Sequence, residues 1–80
     1  MSLLNEIREK SGGYTVINFG GKTVYIEAYK RLKSITSECI ELEVRNATLE
    51  IVGMELILDE VNDGTLTVTG KILAITERGQ

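Results

Sequence analysis

Apolar and polar residues alternate with a period of two along much of this chain. Residues 40–44 run Ile-Glu-Leu-Glu-Val, and residues 48–52 and 65–69 show the same alternation with Thr and Glu between the apolar positions. Successive side chains of a strand point to opposite faces of a sheet, so this period indicates strands with one buried face. We therefore predict antiparallel strands whose apolar positions form a common core.

This alternation assigns each strand an inward and an outward face. The residues predicted to point inward are Val16, Ile26, Ile40, Leu42, Val44, Leu49, Ile51, Leu56, Leu66, Val68 and Ile72. The residues predicted to be exposed are Glu41, Glu43, Glu50 and Thr67. A slip of one residue in register would reverse these faces, so burial of the glutamates would contradict the strand prediction.

The first twelve residues follow a different pattern. Leu3, Leu4 and Ile7 recur at helical spacing, and Ser-Gly-Gly at 11–13 ends the run. We predict a short N-terminal helix with a Gly-rich stop over residues 1–12. An isolated helix below ~12–15 residues is marginal in water, so we expect this one to dock on the sheet or on a neighbouring chain.

Turn residues divide the remainder of the chain into strands. Glycines at 20–21 suit a tight hairpin with positive φ, Asp-Gly at 63–64 suits another, and Asn46 suits a third. We predict a single all-β domain over residues 13–80, mainly antiparallel. It should be a small sandwich or flattened barrel of about six or seven short strands.

A six-residue pattern recurs within the chain. Residues 48–53 are TLEIVG and residues 65–70 are TLTVTG, while residues 23–28, TVYIEA, are a weaker copy. A small residue after two inward apolar positions is where a strand can bend or bulge. We therefore expect long strands to turn a corner between sheet layers at the end of each copy.

Composition excludes several kinds of chemistry. The chain has no His and one Cys, Cys39, so it cannot form an internal disulfide, a thiolate or imidazole zinc site, or a Ser-His or Cys-His nucleophile. We expect no enzyme activity and no cofactor or metal.

A single cysteine suits a reducing cytoplasm. The uncharged run at 11–21 is shorter than the ~18 residues of a membrane span, and residues 1–10 lack the pattern of a signal peptide.

One basic segment interleaves cations with aromatic rings, as nucleic-acid-binding surfaces do. The net charge of −3 argues against nucleic acid, and a protein partner suits the segment better. A purely structural interpretation is also open, in which the cations balance a Glu-rich remainder and the tyrosines pack. The candidate partner-binding residues are Tyr25, Tyr29, Lys30, Arg31 and Lys33, together with the apolar residues Leu3, Leu4 and Ile7.

The order of short motifs resembles the YabP/YqfC family of bacterial sporulation proteins. These motifs are Gly-Lys-x-x-x-Ile at 21–26, Leu-Lys-Ser-Ile at 32–35, Ile-x-Leu-x-Val at 40–44, Leu-x-Ile-x-Gly-x-x-Leu at 49–56 and Gly-x-Leu-x-Val-x-Gly-x-Ile at 64–72. The family often has Gly after the second strand, where this chain has Ala28.

The resemblance implies a non-enzymatic β-rich domain in spore assembly, in the mother-cell cytoplasm near the forespore outer membrane. Its partners would be other spore-assembly proteins, including membrane-bound ones. We also expect a homo-oligomer, because a small open sheet without Pro has few devices that protect its edges. The alternative function is a small-barrel nucleic-acid-binding module that uses residues 25–33.

Overall fold

The computed structural model describes residues 5–9, 13–62 and 64–79, which form one antiparallel sheet of seven strands. The strands are β1 (Asn5–Glu9), β2 (Tyr14–Phe19), β3 (Thr23–Glu27), β4 (Arg31–Ile35), β5 (Cys39–Val44), β6 (Ala47–Asn62) and β7 (Thr65–Gly79). The described residues contain no helix. The all-β antiparallel class predicted from the sequence is confirmed, although β6 and β7 are far longer than expected, with 16 and 15 residues.

The sheet order is β1-β2-β3-β7-β6-β5-β4, and the two long strands belong to both halves of it. The first layer contains β1, β2 and β3 with residues 65–69 of β7 and 57–62 of β6. The second layer contains β4 and β5 with residues 47–52 of β6 and 72–79 of β7. Buried residues of both layers join one hydrophobic cluster, so the sheet folds over and encloses its core between its two halves.

The fold-over occurs at a corner formed by residues 53–57 of β6 and 70–72 of β7, where the register of the pair shifts. Gly53 and Gly70 lie there because a side chain would not fit. A Cβ on Gly53 would collide with the carbonyl oxygen of Lys71, and a Cβ on Gly70 would lie 2.5 Å from that of Glu55. Gly70 also has a φ of 134°, which L-residues rarely adopt. The bend predicted at the end of these two sequence repeats is confirmed.

Two hairpin turns hold the corner from its two sides. The turn between β2 and β3 accepts two hydrogen bonds from β7, and the turn between β4 and β5 accepts two from β6. These bonds run from Gly70 N to Lys22 O (3.1 Å), Ile72 N to Gly21 O (2.8 Å), Gly53 N to Glu38 O (3.0 Å) and Leu56 N to Ser37 O (2.8 Å). The unit β2-β3-β7 is therefore built like the unit β4-β5-β6, each a hairpin that pairs with one long bent strand.

The three predicted hairpin turns are confirmed by register and backbone angles. Gly20 and Gly21 have φ values of 65° and 76°, as in a type I′ turn, and Lys22 N donates to Phe19 O at 3.2 Å. Asn46 has a φ of 63° between the paired residues Val44 and Ala47. The third turn lies between Asn62 and Thr65, which pair with each other.

The predicted core is buried except for Ile72, which is half-buried against it. The sequence pattern missed Tyr14, Val24, Ala47 and the polar Thr48, which are also buried. The residues predicted to be exposed, Glu41, Glu43, Glu50 and Thr67, face outward but are only partly exposed. The three glutamate side chains are 25–27% exposed because arginines lie across them, at Arg31 and Arg78.

The predicted N-terminal helix is not found where the structure describes this region. Residues 5–9 form the edge strand β1, and Ile7 lies opposite the buried Val16 in the register with β2. The physical reason is that β2 offers a row of backbone donors and acceptors, which a strand satisfies and a short helix does not. Leu3 and Leu4 lie outside the described residues.

Candidate partner-binding surface

The two tyrosines of the predicted basic segment are placed in different surroundings. Tyr25 lies between the buried Val24 and Ile26 on β3, so its side chain is on the outer face of the first layer. Its hydroxyl donates to Glu27 Oε2 at 3.3 Å. Tyr29 is partly buried and packs against the core. Tyr25 is therefore a surface residue, whereas Tyr29 serves packing.

The cations of the segment belong to the second layer. Arg31 lies opposite Glu43 in the pairing of β4 with β5, and its Nη2 lies 3.0 Å from Glu43 Oε1. Lys33 Nζ donates to Thr48 Oγ1 at 3.4 Å. Lys30 is exposed in the connection before β4, where its backbone N donates to Glu43 O at 2.7 Å.

The structure therefore does not bring the predicted segment together as one basic, aromatic surface. Tyr25 faces outward from the first layer, while Arg31 faces outward from the second layer, on the opposite side of the molecule. A shallow groove of about 310 Å³ is lined by β4 residues 31–33. Glu43 balances the charge of Arg31, whereas Lys33 contacts the uncharged Thr48, so the groove keeps one unbalanced cation and no aromatic ring lines it.

The outer face of the second layer is a network of charged pairs. Arg78 Nη2 lies 3.2 Å from Glu41 Oε2 and 3.3 Å from Glu50 Oε2. Burial and then the carboxylates of Glu50 and Glu41 raise the pKa of the nearby Cys39 thiol, and Arg78 opposes this rise. A raised pKa reduces the thiolate fraction, so this environment does not activate Cys39 as a nucleophile.

The described residues hold neither a metal-binding cluster nor a helix that could span a membrane. Within residues 5–9, 13–62 and 64–79, no three acidic or cysteine side chains are grouped closely enough to bind a metal ion. No helix of the described part is long and apolar enough to cross a membrane.

The most open surface of the fold is an edge of the second layer. We call residues 73–79 of β7 the β7 edge. β3 pairs with β7 only as far as Thr69, and the β2-β3 turn bonds only as far as Ile72. Beyond that point, no strand of the described part lies beside β7 on the side away from β6.

Alternation of backbone direction identifies which groups this edge offers. Gly53 N points toward β5, since it donates to Glu38 O. Backbone groups alternate along a strand, so residues 48, 50 and 52 of β6 point toward β7, where they pair with residues 78, 76 and 74. The N–H and C=O groups of Ile75 and Glu77 therefore point away from β6, into the open edge, whereas a register shift interrupts the alternation at Leu73, next to Ile72.

The other three edges of the described sheet carry features that hinder pairing. The edge strand β4 contains a register shift and the cations Arg31 and Lys33. Residues 57–62 of β6 contain a second register shift and adjacent acidic residues at 59–60. The strand β1 alternates acidic and basic residues at positions 6, 8 and 9. Bulges and charges of this kind keep foreign strands from adding to an edge.

The β7 edge has its register shift at its first residue, Leu73, and its charges at Glu77 and Arg78, so residues 74–76 between them lack this protection. Its register with β6 runs unbroken from Gly79, opposite Ala47, to Ala74, opposite Val52. Residues 72–76, Ile-Leu-Ala-Ile-Thr, carry no charge, and the side chain of Leu73 is 58% exposed. This flat, apolar strand has the properties of a site for strand addition.

A groove of about 540 Å³ lies at the corner, where the β7 edge begins. It is lined by glycines of the β2-β3 turn and by the corner residues Gly70, Lys71 and Ile72. Its charged residues are Lys22, Lys71 and Glu55. No ion pair of the described residues involves these two lysines, so their ammonium groups are available to an anion.

Comparisons of this chain with protein-family models, with characterised proteins and with solved structures find no match. The candidate site is therefore defined by geometry. The sequence predicts unprotected sheet edges in general but does not distinguish the β7 edge from the others. The signal that could have found it is the uncharged run at 72–76, which follows Lys71 and precedes Glu77.

Proposed function

We propose that this chain is a non-enzymatic interaction domain of spore assembly, which binds another protein chain by strand addition at the β7 edge. The observation that supports this function best is the open backbone groups of Ile75 and Glu77, in a strand whose residues 72–76 carry no charge. In strand addition, main-chain hydrogen bonds supply affinity, and alternate side chains supply specificity.

The role in sporulation is supported by the resemblance of the motif order to the YabP/YqfC family. The backbone conformation of residue 28 agrees with that resemblance, although the residue itself departs from the family pattern. Ala28 has a φ of 68°, a left-handed conformation that glycine adopts without strain, and the family often has glycine there. The partners we propose are other spore-assembly proteins, including membrane-bound ones, met in the mother-cell cytoplasm near the forespore outer membrane.

The alternative, a nucleic-acid-binding module that uses residues 25–33, has less structural support. Arg31 is paired with Glu43, Lys33 is bonded to Thr48, and Tyr25 faces the opposite side of the molecule. A nucleic-acid site needs cations directed at phosphates beside rings that can stack. The test of this alternative is the salt dependence of binding to single-stranded DNA or RNA, for which we expect no binding.

The proposed function is tested with two matched charge substitutions. Leu73→Lys places a cation on the β7 edge, at a side chain that is 58% exposed. Ile57→Lys places the same charge at a side chain that is 60% exposed on the edge of the first layer. Because both side chains are largely in solvent, we expect both variants to remain folded.

The variants replace the native chain in sporulating cells, and heat-resistant spores are counted together with the chain's cross-linked partners. We expect Leu73→Lys to reduce spore yield at least tenfold and to lose its cross-links, whereas Ile57→Lys behaves as wild type. A normal spore yield from a folded Leu73→Lys variant would refute the proposed function.

A further inference from the structure

We propose that the β7 edge binds the β7 edge of a second copy of this chain, antiparallel, with Ile75 on the two-fold axis. This inference rests on the proposed function, since it assigns the partner of the same edge. Each copy would present the same residues to the other, and the second layers of the two copies would join into one continuous sheet.

Backbone hydrogen bonds favour an antiparallel pair centred on Ile75. Ile75 and Glu77 carry outward N–H and C=O groups, and Ile75 lies in the uncharged stretch of the edge. With Ile75 on the axis, it lies opposite the partner's Ile75, and this hydrogen-bonded pair exchanges two main-chain hydrogen bonds. Glu77 then lies opposite the partner's Leu73 at each end of the paired stretch.

The β2-β3 turn limits the space beside the edge. Gly21 O already accepts the N–H of Ile72 at 2.8 Å, so the β2-β3 turn occupies the edge up to that residue. A pairing centred nearer the corner would drive the second strand into this turn. With Ile75 on the axis, the second strand pairs as far as its Glu77, opposite Leu73, and must then leave the edge, because its Arg78 would otherwise meet the turn at Gly21.

Charged side chains select among the remaining registers. With Ile75 on the axis, the partner's Glu77 arrives where the corner groove begins, close to Lys22 and Lys71. Neither lysine takes part in an ion pair of the described residues. A register shifted toward Gly79 would instead place the two Glu77 carboxylates diagonally beside each other, which is unfavourable.

The edge also carries exposed apolar surface. Leu73 is 58% exposed and Ile75 is only partly buried, although both belong to an uncharged stretch of a regular strand. A second strand covers this surface and leaves no open edge on that side of the second layer. A strand pair of this length is a small interface, so we expect a dissociation constant of about 1–100 μM.

A charge-swap series on the full chain tests the pairing by sedimentation equilibrium from about 1 to 500 μM. We expect wild type to dimerise, and Glu77→Lys and Lys71→Glu each to raise the dissociation constant at least tenfold. The double variant Lys71→Glu/Glu77→Lys should return to within about threefold of wild type, because it restores opposite charges across the axis. The control Glu38→Lys changes charge in the exposed β4-β5 turn and should have no effect.

A disulfide reports the register independently. In a Cys39→Ser background, Ile75→Cys should form a disulfide-linked dimer on mild oxidation, since residues in a hydrogen-bonded antiparallel pair lie about 5.5 Å apart at Cα. Ala74→Cys should cross-link much more slowly, because its symmetry mate lies two residues away along the pair. Circular dichroism of each variant confirms that it is folded.

A wild-type chain that is still monomeric at 500 μM would overturn the self-pairing. So would a double variant whose dissociation constant is no lower than those of its single variants. If self-pairing fails while Leu73→Lys still loses spore-assembly partners, a different protein occupies the edge and the proposed function stands. If Ile75→Cys cross-links while Leu73→Lys sporulates normally, the self-pairing stands and the proposed function fails.

Discussion

Substitution of Gly53 by Ala tests the physical basis of the corner. A Cβ at this position would overlap the carbonyl oxygen of Lys71 on the paired strand and would lie 2.8 Å from Leu56 Cδ2. The leucine side chain can move, but the carbonyl belongs to the backbone of β7. The substitution therefore forces β6 and β7 apart at the point where both strands bend.

The expected cost follows from this geometry. Overpacking a rigid site costs about 1–3 kcal/mol, and a weakened backbone hydrogen bond at the corner adds about 1 kcal/mol. We therefore expect Gly53→Ala to lower the free energy of unfolding by about 2–4 kcal/mol. An 80-residue domain has a total of roughly 4–12 kcal/mol, so this loss is a large share of its stability.

Gly79→Ala is the matched control, because Gly79 has nothing within 4 Å of its Cβ position and no positive φ. Urea unfolding is followed by far-ultraviolet circular dichroism, at a concentration low enough to keep the chain monomeric. We expect the control to change stability by less than about 0.5 kcal/mol. If Gly53→Ala is as stable as Gly79→Ala, the corner does not depend on close approach of the two strands and our account of the bend is wrong.

Three further predictions concern the core, a backbone angle and pH. Leu42 is fully buried, so Leu42→Ala should cost about 2–5 kcal/mol in urea unfolding, and a loss below 1 kcal/mol would contradict the core assignment. Ala28 has a φ of 68°, so Ala28→Gly should add up to about 1 kcal/mol in thermal unfolding, whereas a loss would show that the angle is unstrained. Burial raises the pKa of Cys39 above its ordinary 9.0, so the thiol ionises at a lower pH in the unfolded chain than in the folded one. The stability that the protonated thiol contributes is complete below pH 9 and is lost as pH rises through the folded-state pKa. In alkaline urea titrations Cys39→Ser should lack this component, and identical pH profiles for the two proteins would refute it.

The sequence predicted the strands and turns well because their causes are local. Alternation fixed the inward faces of β5 and of the first half of β6, and residues such as Asn46 marked turns that need positive φ. The repeat that ends at Gly53 and Gly70 predicted the corner, since a missing side chain is visible in the sequence and permits close approach of another strand.

The remaining features depend on contacts between distant segments. The helical spacing of Leu3, Leu4 and Ile7 predicted a helix, but residues 5–9 pair with β2, whose open edge is not visible in the local pattern. The basic segment looked continuous in sequence, yet the fold places Tyr25 and Arg31 on opposite outer faces. The β7 edge exists because β3 stops pairing at Thr69, a consequence of strand order that periodicity does not determine.

Amide hydrogen exchange along β7 tests the central claim most directly. In a dilute monomer, the amides of Ala74, Thr76 and Arg78 are bonded to β6 and should exchange slowly, while those of residues 75 and 77 exchange fast. When the β7 edge is occupied at a concentration that favours pairing, the odd-numbered amides should become protected and the even-numbered ones should change little. Odd-numbered amides that still exchange fast in the associated protein would show that the chain does not bind through this edge.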